Sequence, residues 1–222
     1  MCGRFAQYSG LDSLKKSFQI EEITCVVAPS YNIAPLQPVL TVIRHDGNRL
    51  GQLHWGLVPS WAKDKSMAAK LINARAETVA DKPSFRNAFK RHRCLILADG
   101  FYEWKVDGPQ KQPWYFTLPS GDPFAFAGLW DTWKGEEEAA YHSCTIITTA
   151  ADESVQPVHH RMPVILMPEA HAQWLDPQNR DSARLNAILS EGRVKELKSY
   201  PVSKRMNSAR NNDPACIEPL KY

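Results

Sequence analysis

Cysteine at position 2 is the residue with the most chemistry to offer. It is small enough for an initiator-methionine aminopeptidase to remove Met1 ahead of it. The mature first residue would then carry an α-amine and a thiol on adjacent carbons. The amine titrates at about 7.7–8.0 and the thiol at about 8.5, so part of the amine is neutral near pH 7. Such a 1,2-aminothiol meets an aldehyde as an amine, gives a Schiff base, and closes a thiazolidine ring through sulfur. An internal cysteine cannot, because its nitrogen is locked in an amide. Gly3 lets the backbone pass close to a ligand, and Arg4 offers a planar fork for a phosphate. The plain alternative is an ordinary chain start with a buried cysteine, and only the rest of the chain decides between them.

Three more clusters carry candidate chemistry. Asn73, Arg75 and Glu77 stand at spacing two, so an extended backbone projects them to one face, where polar groups need partners or a ligand. Glu103 lies between Tyr102 and Trp104; poorly hydrated aromatic surroundings raise a carboxyl pKa and make it a candidate acid or base, although a surface glutamate on a strand fits as well. His159-His160-Arg161 precedes Pro163. Adjacent side chains on an extended chain point opposite ways, so the pair is a poor metal site. One histidine as acid or base beside an arginine at a phosphate fits better, and the residues alone do not choose which. Asn32 reads as a turn residue or as a site group that donates and accepts. Trp61 reads as core or as a platform for a nucleic-acid base.

The elements that would hold these groups follow from periodicity. Leu11–Ile20 reads as an amphipathic helix capped by Ser9 or Ser13. Val39–Arg44 and Leu50–Leu57 read as a hairpin around His45-Asp46-Gly47-Asn48. Tyr31-Asn32-Ile33-Ala34-Pro35 reads as a fixed extended loop. Ser84–Arg93 reads as a helix whose basic residues form a solvated face rather than a phosphate surface. Strands are expected at Cys94–Ala98, Pro113–Leu118, Pro123–Leu129, Tyr141–Thr149, Val164–Met167 and Lys198–Val202, with an acidic loop at Gly135–Ala140. Helices are expected at Pro168–Leu175 and Asp181–Leu189, and turns at the tail asparagines.

The whole-chain bounds are permissive. At 222 residues, 43% hydrophobic and 23% charged, the chain suits one globular domain, 1–222, with no linker or repeat. A net charge of +3 does not by itself imply nucleic acid. Five widely spaced cysteines without a CxxC argue against a disulfide framework and a zinc ribbon, and for a reducing compartment. No apolar run suits a bilayer and no signal peptide is visible, so a soluble, intracellular protein is expected. There is no P-loop and no GxGxxG, and no cofactor or metal is expected.

Taken in order, Cys2-Gly3-Arg4-Phe5, Tyr31 to Pro35, Trp55-Gly56 with Pro59-Ser60-Trp61, Ile72 to Glu77, Ala98 to Trp104, Thr148 to Asp152, His159 to Pro163 and the Pro201 to Pro219 tail resemble the SRAP family. These are the abasic-site processing proteins once described as SOS-response-associated peptidases. The resemblance covers nearly the whole chain. It implies an α+β single domain with a largely antiparallel, bifurcated or barrel-like sheet flanked by helices. It implies Cys2 as the nucleophile that captures a ring-opened abasic sugar in single-stranded DNA, with Asn73 orienting it, Glu103 moving protons and His159 promoting ring opening. It implies DNA-backbone contacts from Arg4, Arg75, Thr148 and Arg161, and a site wall or base stack from Asn32, Pro35 and Trp61. A monomer in the cytoplasm, at the nucleoid if bacterial and near the replication machinery, is the implied setting. A cysteine peptidase acting on itself and a non-covalent single-strand binding module are the alternatives. The segment between Trp61 and Leu71 departs from the family pattern, being longer and richer in lysine and alanine.

Overall fold

The computed structural model describes residues 2–135 and 139–221, apart from the side chain of Asp107. Met1 and the centre of the expected acidic loop lie outside the described residues. The first half of the chain gives β1 (Phe5–Gln7), α1 (Leu11–Phe18), β2 (Glu22–Ile23), β3 (Ser30–Ile33), β4 (Pro38–Arg44), β5 (Asn48–Trp55), β6 (Asn73–Arg75), α2 (Arg86–Arg91), β7 (Arg93–Ala98) and β8 (Gly100–Asp107). The second half gives β9 (Gln110–Thr117), β10 (Phe124–Trp133), β11 (Tyr141–Ala150), β12 (Arg161–Pro163), β13 (Ile165–Leu166), α3 (Pro168–Leu175), α4 (Ser182–Glu191) and β14 (Lys198–Pro201).

Hairpin pairing accounts for most of the larger sheet. β5, β4, β7, β10 and β11 pair antiparallel in that order. A parallel pairing of β11 with β5, Ser143 opposite His54 and Cys144 opposite Trp55, then closes the five strands into a barrel-like ring. Closure removes the open edges that these apolar strands would otherwise present. Strand β7 is buried along its whole length, and its two faces serve two cores. Leu95 and Leu97 join Leu14, Phe18, Phe89, Trp174 and Leu185 of the helices. Cys94, Ile96 and Ala98 join Trp55, Phe126 and Cys144 in a second cluster. The period-two alternation of side chains divides the strand between them.

A second sheet, ordered β14-β9-β8-β1-β3, lies against that second cluster through Phe5, Phe101 and Phe116. The Phe5 ring meets Trp55 at 5.2 Å and Phe126 at 5.5 Å, both edge-on. The chain crosses between the sheets at Asp99-Gly100. Asp99 is fully buried and accepts from Tyr8 N at 2.5 Å, from Ser9 N at 2.9 Å and from the Ser9 hydroxyl. Gly100 has no room for a side chain, because a Cβ there would stand 2.1 Å from Tyr115 Cζ.

Three expectations change. Helix α1 has Gly10 at its cap position and no side-chain cap, because the Ser9 hydroxyl is bound to Asp99 instead. The basic helix is shorter than expected: Arg86, Lys90 and Arg91 are exposed, whereas Arg93 is buried and donates to the carbonyls of Trp174, Phe89 and Asp176 at 2.5–2.9 Å. The strand expected over Val164–Met167 shrinks to β13, which pairs with β10, and the residues just before it form a separate strand, β12, which pairs with β11. Among the described residues no helix is long and apolar enough to cross a membrane.

Candidate active site

Four residues from four separate segments converge where the two sheets meet. Cys2 precedes β1 and is fully buried in the cluster shared by both sheets. Asn73 opens β6, which runs parallel to β11 with Asn73 opposite Ile146 and Arg75 opposite Thr148. Its Nδ2 donates to the Cys2 carbonyl at 2.8 Å. Its Oδ1 is buried and has no hydrogen-bond partner among the described residues. Asn73 and Arg75 do share the outward side, with Ala74 buried between them, as the spacing predicts. Strand β6 ends there, so Glu77 reaches its partner from the turn that follows.

Glu103 sits in β8 and is 2% exposed. Burial raises its carboxyl to about 7. The direction matches the sequence reading, but the surroundings differ. Tyr102 and Trp104 point to the opposite face of β8, into a cluster with Tyr115 and Met206. Glu103 shares its face with Phe101, toward the cluster that holds Cys2. Burial also pushes the Cys2 thiol well above its ordinary range, with the Glu103 charge adding to the effect. The thiol is therefore neutral at pH 7 until something takes its proton.

His159 lies just ahead of β12. Its Nδ1 stands 3.8 Å from Glu103 Oε1. The backbone of Arg161 holds the same nitrogen, with Arg161 N at 3.0 Å and Arg161 O at 2.9 Å. Burial lowers the His159 pKa, so the ring is largely neutral at pH 7. His160 is exposed, its ring centroid 4.4 Å from that of His159. Of the two adjacent histidines, His159 is the one that faces the carboxylate. Among the described residues no group of three His, Cys, Asp or Glu could hold a metal ion.

The residues expected at DNA divide into two groups. Trp61 is 59% exposed, Arg75 is exposed and Pro35 is half-buried. The Trp61 loop is framed from β10, where Asp131 accepts from Ser60 N at 2.9 Å and Trp133 donates to Ala62 O at 2.7 Å. The following segment winds into a 3-10 turn at Lys65–Lys70, with the Lys65 ammonium over the rings of Trp133 and Tyr141. The other four have protein partners. Arg4 donates to Asn32 Oδ1 at 2.7 Å and to Met206 O at 2.9 Å. Asn32 is 1% exposed and donates to the carbonyls of Met206, Ser208 and Asn211. Thr148 is fully buried, with its hydroxyl 3.4 Å from Ala74 O. The Arg161 guanidinium is paired with Glu77 and with Thr148 O.

Sequence reasoning missed the tail. Asn212 Oδ1 accepts from Tyr31 N at 2.6 Å and Asn32 N at 3.1 Å, so Asn32 and the tail grip each other in both directions. Asparagines in a tail read as turns, and no local signal reveals a partner some 180 residues away.

A family model described as SOS response associated peptidase (SRAP) matches residues 1–209. Abasic site processing protein YoqW of Bacillus subtilis is 46% identical over 223 residues, covering 98% of this chain and 99% of that protein. Abasic site processing protein YedK of Escherichia coli is 32% identical, covering 99% and 100%. Abasic site processing protein HMCES of Gallus gallus is 34% identical, covering 87% of this chain and 67% of its own. A solved phage-related protein from Bordetella bronchiseptica is 34% identical with a TM-score of 0.73, covering 91% and 95%. A solved protein from Bacteroides thetaiotaomicron shares the fold at a TM-score of 0.82, with 23% identity over 98% of this chain and 100% of that one.

Proposed function

The chain belongs to the SRAP family of abasic site processing proteins, and on that premise we propose that it bonds covalently to abasic sites in single-stranded DNA. The bond forms through Cys2 once Met1 has been removed. The observation that carries this reading is the convergence on Cys2. Asn73 holds its carbonyl, the Glu103 charge acts on its thiol, and His159 stands 3.8 Å from Glu103.

An abasic deoxyribose is mostly a closed hemiacetal. A proton must reach the ring oxygen and another must leave the anomeric hydroxyl before the aldehyde appears. His159 suits that exchange because residue 161 supplies a backbone partner to its Nδ1 in either protonation state. The neutral Cys2 amine adds to C1′ and water leaves, giving the Schiff base. The Cys2 sulfur then adds to the same carbon, and its proton passes to the adjacent carboxylate. Glu103, titrating at about 7, can take that proton and return it. The sum is aldehyde plus aminothiol giving thiazolidine plus water. If the Schiff base instead loses a proton from C2′, the 3′ phosphate departs and the strand is cut, which is lyase chemistry. Asn73 Oδ1, without a partner among the described residues, accepts from the new amine or from a sugar hydroxyl. Arg75 and Trp61 supply backbone charge and a stacking face, neither of which reads sequence.

The test is incubation with an oligonucleotide carrying one abasic site, using protein whose intact mass shows Met1 removed. A heat-stable adduct is expected from the wild type and none from Cys2→Ala. Adduct at full strength from Cys2→Ala would defeat the reading.

A further inference from the structure

We propose that Glu77 is a positioning residue for the site histidine: by gripping the Arg161 side chain it fixes the backbone that carries the His159 ring. The inference rests on the reading of His159 as the proton-transfer group given above.

The Arg161 side chain is 11% exposed, and both terminal nitrogens of its guanidinium are engaged, while Nε is buried without a partner among the described residues. Nη1 donates to Glu77 Oε1 at 2.6 Å. Nη2 donates to Glu77 Oε2 at 3.0 Å and to Thr148 O at 2.8 Å. A planar guanidinium held bidentate at one carboxylate, with a third bond to a neighbouring strand, cannot turn without breaking several contacts. The main chain of the same residue closes on the imidazole. Arg161 N donates to a bare Nδ1 at 3.0 Å, and a protonated Nδ1 donates to Arg161 O at 2.9 Å. Fixing the arginine thus fixes the ring, and the ring stays fixed as its proton comes and goes. Arg161 also pulls the Glu77 carboxyl below its usual range, so the pair remains charged wherever the reaction runs.

The rival reading takes Glu77 as an occupant of the place a DNA phosphate would fill on Arg161. The two readings predict opposite results from one substitution. If Glu77 competes with phosphate, Glu77→Gln frees the fork, tightens DNA binding and steepens its salt dependence by about 0.7 in log–log slope for one more neutralised phosphate. If Glu77 positions His159, binding stays as it was and the chemistry slows.

The experiment uses full-length protein with Met1 removed. Adduct formation is followed against concentration of an oligonucleotide carrying one abasic site, and salt-dependent binding is measured on an intact oligonucleotide of the same sequence. No adduct from the wild type would overturn the function proposed above rather than this inference. Given wild-type adduct, Glu77→Gln should lower the saturating rate about tenfold, the scale of a small misplacement of a reacting group. The half-saturating concentration and the salt slope should stay at wild-type values. Arg161→Lys keeps the charge and loses the fork, so it should slow the reaction by a similar factor. The double variant should be no slower, because both changes cut one link. A wild-type saturating rate in Glu77→Gln, or tighter and more salt-sensitive binding, would overturn the proposal. If Glu77→Gln folds poorly, the same comparison of rate and binding on Arg161→Lys decides it.

Discussion

Glu103 shows how one buried carboxyl ties the chemistry to the stability of the fold. Its pKa is about 4.5 in the unfolded chain and about 7 in the folded one. Below 4.5 both forms are protonated and the group sets no slope. Between 4.5 and 7 the folded state binds more protons than the unfolded state, so stability falls as pH rises. Above 7 the loss is complete, and by linkage it amounts to roughly 3 kcal/mol. Glu103→Gln keeps the shape and removes the charge. At pH 8 it should be the more stable protein by an amount of that order, with the gap closing as pH falls toward 4.5. Denaturant titrations at pH 5 and pH 8 measure this, and a gap of equal size at both would contradict it. Adduct formation by the same variant should slow about a hundredfold, the scale of losing a positioned acid or base. Stability gained where activity is lost is the mark of a group kept for its chemistry.

At the scale of elements, the C-terminal tail behaves as a strap across β3, the edge strand that pairs with β1. Asn32 donates to three tail carbonyls, Asn212 answers to the backbone of β3, and Arg4 hangs from Asn32 and Met206. Asn32→Asp should be severe, because it replaces the donor with a buried charge facing those carbonyls. A loss of about 3 kcal/mol or more is expected from denaturant unfolding. Proteolysis of the variant should cut first in the tail, and an unchanged cleavage pattern would remove the strap from the argument. None of this was legible in the sequence, whereas much else was. Helices α1, α3 and α4 and strands β4, β7, β11 and β14 stand close to where periodicity places them, because a single buried face dictates each pattern. Ring closure by β5 with β11 was not legible, because that parallel pair joins residues about ninety positions apart and leaves no local trace. Cys2 and Glu103 stand out in the sequence as candidate groups by their chemistry. The partners of Asn32 and Arg4 were not, since an asparagine or arginine looks the same whether it faces a ligand or a distant carbonyl.

At the scale of the molecule, the site has no element of its own and is defined by the junction of two sheets. Glu103 lies on a strand of the second sheet and Cys2 just ahead of another, whereas Asn73 and His159 belong to segments attached to β11 of the larger one. The apolar cluster at the junction mixes both sheets, with Phe5 and Phe101 of one against Trp55 and Phe126 of the other. Neither sheet can open without exposing that cluster. Cooperative loss of both is therefore expected, as in a single domain with one transition. During urea unfolding, tryptophan fluorescence, far-ultraviolet circular dichroism and residual adduct-forming activity should share one midpoint. Activity lost at clearly lower urea would mean that the junction opens before the sheets melt, and the site would then depend on local contacts rather than on the shared core. The surface side of the same junction is tested separately. Arg75 is exposed beside the site and takes no part in the cluster. Arg75→Ala should leave the unfolding free energy from urea titration within about 0.5 kcal/mol of the wild type. It should also weaken binding of intact single-stranded DNA and lower the salt slope by about 0.7, the share of one phosphate contact. A wild-type slope in that variant would place the DNA path elsewhere on the molecule.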